Sequence, residues 1–362
     1  MIKINPAVHY GSITKSQLVQ NVKGSNIIVV CSNTVWNKSY IKKVINELKE
    51  DYRVKIYTHL QPNAPFSDLQ KIIDENLEVK PDTIIAIGGG SVLDASKALS
   101  VSFAGLSIND LFYKNVDMPS ESIHLVSIPT TAGTGAELSF GAIIYDDVNN
   151  VKGGIRGEVI QSNVVFIDAE LYRTAPPKLL AEVGFDCLTH AMETYLSVKS
   201  DPLTRYQSVS AIKTVLEFLP QAVAGDMEAL KRMSIASAMM GINLAYSSTC
   251  LPHRIQYVIG PLTNTSHAQG LIALYTGWLK LIGTDKSKSG LLDLEKDMNS
   301  REDIIERIYG LKEELDINYT ISTLGVKENQ LEFISQNVKG SVQNDPCYVD
   351  NNTILNVLKH SL

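Results

Sequence analysis

The chain has 362 residues, 44% of them hydrophobic and 20% charged, enough to bury a sizeable core and to predict two domains. A formal net charge of -6 and a pI of about 5.7, with no run of lysine and arginine to offset them, exclude a nucleic-acid surface. The N-terminus MIKINPAVHYGSITK lacks a charged-then-apolar leader pattern, and no segment approaches the roughly 18 consecutive apolar residues of a membrane span, so a cytoplasmic protein without a membrane partner is expected.

In chain order, the first half alternates short apolar runs with helical periods. NIIVVCS (26 to 32), VKIYTH (54 to 59), TIIAIGG (83 to 89), SIHLVSIP (122 to 129), AIIYDD (142 to 147) and NVVFIDA (163 to 169) are rich in Ile and Val and bounded by turn residues. Between the earlier runs, SYIKKVINELKED (39 to 51) and FSDLQKIIDENL (66 to 77) carry helical periodicity. Runs that are apolar throughout, rather than alternating, fit a parallel sheet covered on both faces. A doubly wound α/β layer follows. From about residue 178 onward the apolar residues fall at helical spacing, as in LTRYQSVSAIKTVLEFLPQAV and DMEALKRMSIASAMMGINLAYSS. The consecutive Pro176 and Pro177 mark the boundary, which predicts an α/β domain over 1–175 and an all-α domain over 176–362. Cys31, Cys187, Cys250 and Cys347 lie far apart with no CxxC spacing and read as reduced thiols.

Three stretches could carry chemistry. In AIGGGSVLDASKALS (86 to 100) a buried-type strand runs into three glycines and then a helix. Glycines let backbone N–H groups approach an anion, and the following helix N-terminus carries about half a positive charge, an arrangement that suits a pyrophosphate. Ser91 and Asp94 also have the spacing of a capping box and could simply finish the helix. In SIPTTAGTGAELS (127 to 139) the hydroxyls of Thr130, Thr131 and Thr134 and the amides around Gly133 and Gly135 suit a nucleotide's phosphates, ribose or nicotinamide amide, with a polar turn as the bland alternative. Two such loops after neighbouring strands reinforce each other, because α/β sheets bind ligands at the carboxyl ends of their strands.

The third stretch is FDCLTHAMET (185 to 194), where Asp186 and His190 stand four apart and leave one face of a helix together. Such a pair is a surface contact, a packed histidine or half of a metal site. His253 and His267 lie in the same helical half, within LPHRIQYVIGPLTNTSHAQG. One carboxylate with three imidazoles suits Fe(II) or Zn(II) at a catalytic rather than a structural site.

Together GGGSVLDASKALS, IPTTAGTGAE, DAELYRTAPPKLLAEVGFDCLTHAMETYLS and RMSIASAMMG, in that order, resemble the iron-containing (group III, metal-dependent) alcohol dehydrogenase family, which shares a superfamily with glycerol dehydrogenase and dehydroquinate synthase. The resemblance spans nearly the whole chain. It implies a Rossmann-like dinucleotide-binding domain followed by a helical metal-binding domain, a homodimer, and hydride transfer between a nicotinamide and a small alcohol or aldehyde at a Lewis-acidic metal. By the same resemblance Asp186, His190, His253 and His267 are the metal ligands, the 14-residue step from His253 to His267 being the family's spacing. Gly88, Gly89 and Ser91 would hold the pyrophosphate, Asp94 would lie by the cofactor, and Thr130, Thr131 and Thr134 would contact ribose and nicotinamide. Lys152 matches a lysine the family keeps near the site; a solvated loop lysine is the alternative.

Two departures from the family pattern bear on the chemistry. Four residues after His253, where another histidine is typical, stands Tyr257, which can relay a proton although its pKa of about 10 makes it a poorer acid–base group near neutrality. Arg254 and Gln256 replace small apolar residues beside the ligand. Pointing inward, Arg254 would pair with a carboxylate or phosphonate, and an anionic aldehyde such as phosphonoacetaldehyde would be the sharper expectation; pointing outward, it is a surface arginine. At the end of the strand near residue 31, Ser32 stands where NAD-preferring relatives carry an aspartate, which leans the cofactor toward NADP(H) over NAD(H). The rival reading is a dehydroquinate synthase-like reaction with internally recycled NAD, disfavoured because only Lys178 and Lys199 are basic between residues 178 and 200.

Overall fold

The computed structural model describes residues 4–362 and falls into two compact units, Met1–Pro176 and Pro177–Leu362. In the first, strands β1 (Ala7–Tyr10), β2 (Asn26–Cys31), β3 (Arg53–Tyr57), β4 (Thr83–Gly88), β5 (His124–Pro129) and β8 (Val164–Ile167) form a parallel sheet in the order β1-β8-β5-β4-β2-β3. Helices α1 (Lys15–Asn21), α2 (Asn33–Lys38), α3 (Ile41–Leu48), α4 (Phe66–Asp74), α5 (Gly90–Phe103), α6 (Ile108–Phe112) and α7 (Ala169–Tyr172) accompany it. Successive residues of the central strands feed opposite cores. Ile28, Val30, Ile84, Ala86 and Leu125 pack into one, and Ile27, Val29, Ile85, Ile87, Val126 and Ile128 into the other. That double burial is why these strands are apolar at every position.

One run departs from expectation. The segment predicted as a sheet strand at AIIYDD instead forms β6 (Gly141–Asp146), which pairs antiparallel with β7 (Val151–Arg156) in a separate hairpin. Its burial alternates along the strand, with Ala142 and Ile144 inward, the signature of a ribbon covered on one face only.

The second unit is helical: α8 (Pro177–Leu196), α9 (Pro202–Val223), α10 (Met227–Tyr246), α11 (Leu251–Thr263), α12 (His267–Gly283), α13 (Leu291–Asp297), α14 (Ile304–Glu314), α15 (Leu331–Asn337) and α16 (Asn351–His360). Pro177 opens α8, where a missing N–H costs nothing. Among the described residues, no helix is long and apolar enough to cross a membrane.

Candidate metal centre and nucleotide loops

The two glycine-rich stretches lie side by side in the first unit. Gly88 and Pro129, the last residues of β4 and β5, are register partners, and Thr130 N donates to Gly88 O at 3.0 Å. A Cβ on Gly89 would stand 3.0 Å from Thr131 Oγ1, and one on Gly90 would stand 3.0 Å from Thr134 Cγ2. Each loop thus fills the space the other's missing side chains leave. Gly135, at φ 59°, holds the left-handed conformation on which the second loop turns.

The capping-box alternative is not realised. The N-cap of α5 is Gly89, and no side chain caps it. Ser91 Oγ instead accepts from Asn63 N at 3.1 Å, and Asp94 Oδ2 accepts from Ile143 N at 2.9 Å. The first-turn N–H groups of α5 are left without a side-chain acceptor, the feature an anion site at a helix start requires. Lys152 lies in β7 rather than in a loop, and its ammonium donates to Asn63 Oδ1 at 2.8 Å. Burial raises the Asp94 carboxyl to about 6 against the pull of the Lys97 and Lys152 charges. Ser32, at the end of β2, donates its N–H to Ile87 O at 2.9 Å and caps α2 through Val35 N.

In the second unit the four suspected ligands converge. On α8, buried over most of its length, Asp186 Oδ1 lies 3.7 Å from His190 Nε2, one turn on. Proline at the start of α11 helps fix the approach of His253. Asn264 ends α11 in the left-handed conformation, and a capping box between Ser266 and Gln269 starts α12 with His267 as its first residue. One donor atom from each of Asp186, His190, His253 and His267 lies within 4.8 Å of the others.

Two observations test whether these residues suit a divalent metal. His253 is buried, its Nδ1 sits 2.9 Å from both oxygens of Glu193, and its Nε2 is buried without a hydrogen-bond partner. A buried imidazole nitrogen without a hydrogen-bond partner, beside a carboxylate and two more imidazoles, is a donor that a divalent ion would satisfy. Burial, with the neighbouring His190, drives the His253 pKa well below its ordinary value, so the ring is neutral and its lone pair available. Burial alone would raise Asp186, but the three imidazoles and the Thr189 hydroxyl outweigh it and hold its carboxylate ionised. The donor set, one oxygen and three nitrogens, fits Fe(II) or Zn(II).

Tyr257 and Arg254 border this cluster. The Tyr257 ring stacks on His267 at 6.2 Å between centroids, and the Arg254 guanidinium lies 5.9 Å from the Tyr257 ring. Arg254 is not an outward surface residue. It is half-buried, its Nη2 donates to Ser248 Oγ at 3.2 Å and Thr249 O at 3.3 Å, and its Nε is buried without a partner.

Three residues that support these sites escaped the sequence reading: Glu193 bonds to His253, Asn63 joins Ser91 to Lys152, and Lys97 is wholly buried under the second loop. Gln256, noted in the sequence only as a departure beside the ligand, bonds to His267. Glu193 had a signal: Asp186, His190 and Glu193 are polar at i, i+4 and i+7 of a buried helix.

Comparison with known proteins agrees with this geometry. The chain is 27% identical to the NADPH-dependent butanol dehydrogenase of Clostridium saccharobutylicum, over 96% of this chain and 93% of that one. It is also 27% identical to the sulfoacetaldehyde reductase of Bilophila wadsworthia, over 94% and 92% respectively. Its fold matches the iron-containing alcohol dehydrogenase of Thermococcus thioreducens with a TM-score of 0.90 at 23% identity, covering 100% of this chain and 99% of that one. Residues 6–169 match the family model for iron-containing alcohol dehydrogenase, and residues 180–362 match that for the C-terminal part of the same family. With both halves of the chain matched, this protein belongs to the iron-containing alcohol dehydrogenase family.

Proposed function

We propose that this alcohol/aldehyde oxidoreductase works as an NADP(H)-preferring, Fe(II)- or Zn(II)-dependent reductase of small aldehydes that carry an anionic group, phosphonoacetaldehyde being one such substrate. The observation that carries the reading is the convergence of buried Asp186, His190 and His253 with half-buried His267, Nε2 of His253 being unpartnered. When bound, the ion supplies Lewis acidity toward a carbonyl oxygen and the reduced nicotinamide supplies a hydride. Residues 1–175 hold the nucleotide in this reading, through Gly88, Gly89 and Ser91 at the pyrophosphate and Thr130, Thr131 and Thr134 at ribose and nicotinamide. Residues 176–362 hold the ion.

The remaining roles follow from the side chains. Asp94 and Lys152 border the nucleotide, with Lys152 oriented through Asn63. The Tyr257 hydroxyl delivers the proton that the product alcohol needs. Ser32 presents no carboxylate to repel a 2′-phosphate, and a relative named as NADPH-dependent supports that preference. Arg254 pairs with the substrate anion through a guanidinium that already has one desolvated, unpaired N–H; a relative named sulfoacetaldehyde reductase supports an anionic substrate. A cytoplasmic homodimer completes the reading, supported by the family resemblance.

Arg254→Met tests the substrate assignment. It should lower kcat/KM for an anionic aldehyde about 10- to 100-fold, the weight of a hydrogen bond to a charged group, while a neutral aldehyde of the same length changes little. Equal losses for both aldehydes would remove Arg254 from substrate recognition.

A further inference from the structure

We infer that Gln256 is a positioning residue for the metal site: its side-chain carbonyl fixes the tautomer and orientation of His267. The inference rests on the reading of Asp186, His190, His253 and His267 as ligands. Gln256 lies on α11 three residues after His253 and is wholly buried. Its Oε1 stands 2.8 Å from Nδ1 of His267. An amide oxygen only accepts, so Nδ1 of His267 carries the hydrogen and Nε2 keeps its lone pair. With the amide turned over, its NH2 would donate to Nδ1, the hydrogen would move to Nε2, and that nitrogen could not coordinate. The amide's orientation and the ion's binding are thus one choice.

The surroundings are shaped for that amide. A Cβ on Gly270 would stand 2.8 Å from Cγ of Gln256 and 3.0 Å from its Nε2, and a Cβ on Gly260 would also stand 3.0 Å from Nε2. Both glycines are inside helices, where glycine is unfavourable relative to alanine. The amide nitrogen itself is buried without a hydrogen-bond partner, a further cost. Together the two glycines leave room for a full-length amide behind His267. Glu193 stands behind His253 in the same way, with both carboxyl oxygens 2.9 Å from Nδ1, and burial pushes its carboxyl up to about 8; Gln256 orients its histidine with a neutral amide.

The test measures zinc affinity of the purified full chain by competition with a chelating dye, alongside thermal unfolding of the metal-stripped protein. Gln256→Met, which keeps the length and removes the acceptor, should weaken zinc binding about 10- to 100-fold with little change in metal-free unfolding. Gln256→Glu restores an acceptor and should bind at least as tightly as wild type. Gly270→Ala leaves Gln256 chemically intact but displaces it and should also weaken binding, which keeps the test decisive should Gln256→Met fail to fold. Wild-type affinity in Gln256→Met, or equal weakening in Gln256→Met and Gln256→Glu, would overturn the inference while leaving the metal site standing. A wild-type chain that binds no zinc would overturn the metal-site reading and the inference with it.

Discussion

Both carboxylate oxygens of Glu193 lie 2.9 Å from Nδ1 of His253, and Glu193 Oε2 also accepts from Cys250 N at 2.7 Å. One buried side chain thereby sets the tautomer of a ligand imidazole and anchors the residue that begins its helix. Removing the carboxylate should weaken both. Glu193→Ala is expected to lower zinc affinity about 10- to 100-fold and to lower the Tm of the metal-stripped protein. Glu193→Gln keeps an acceptor for Cys250 and should lose affinity with less loss of Tm. Chelator competition and calorimetry separate the two effects; unchanged affinity in Glu193→Ala would detach Glu193 from the site.

The contact between the two glycine-rich loops predicts a different kind of loss. At Gly90 an added methyl meets Thr134 at 3.0 Å, and at Gly89 it meets Thr131 at 3.0 Å. Gly89→Ala and Gly90→Ala must each push a threonine off its rotamer, at about 0.5–1.5 kcal/mol. Titration should give NADPH dissociation constants raised by up to about tenfold, with zinc affinity unaltered. Undisturbed nucleotide binding in both variants would mean the loops do not hold the cofactor.

Lys97 holds the second loop from beneath. Its ammonium donates to Ser139 O at 3.0 Å, Ser139 Oγ at 2.9 Å and Gly141 O at 2.7 Å, and lies 4.0 Å from Asp94 Oδ1. Lys97→Met leaves those acceptors unpaired and removes the larger of the two lysine charges that offset Asp94. Chemical denaturation should register a loss of about 3–5 kcal/mol, the usual result of removing one partner of a buried ionic contact. A variant as stable as wild type would show that the loop is held by packing alone.

Lys312 gives a pH dependence with a definite sign. It is buried, with its ammonium on the neutral acceptors Ile272 O and Thr276 Oγ1, and desolvation pulls its pKa from 10.5 down to about 8. Between those values the unfolded chain binds the proton and the folded chain does not, so this residue makes stability rise with pH from about 8 to 10.5. Below about 8 its penalty is fully present, roughly 3 kcal/mol by the size of the shift. Lys312→Met should flatten that rise and be at least as stable as wild type at pH 7. An unaltered pH slope would place the Lys312 charge in water.

How much of this was legible in the sequence follows from what each feature depends on. The strands at NIIVVC and TIIAIG were plain because burial on both faces demands an apolar residue at every position. The β6–β7 hairpin was not, because AIIYDD is apolar enough to imitate a sheet strand, and VKGGIR, exposed and glycine-bearing, imitates a loop. Asp186 and His190 were readable because helical spacing links them. Gln256 and His267 meet only because α11 turns back at Asn264 into α12, which no local periodicity encodes. Asn63 reaches Ser91 and Lys152 from separate elements and left no trace of its role.

The central claim is that Asp186, His190, His253 and His267 bind a divalent ion on which reductase chemistry depends. The most direct measurement is NADPH oxidation by the iron-loaded, zinc-loaded and metal-stripped chain, with His253→Ala as control, against anionic and neutral aldehydes. The account predicts oxidation that disappears on stripping, returns with Fe(II) or Zn(II), and is absent from His253→Ala. Equal oxidation by the stripped protein, or full activity in His253→Ala, would contradict it.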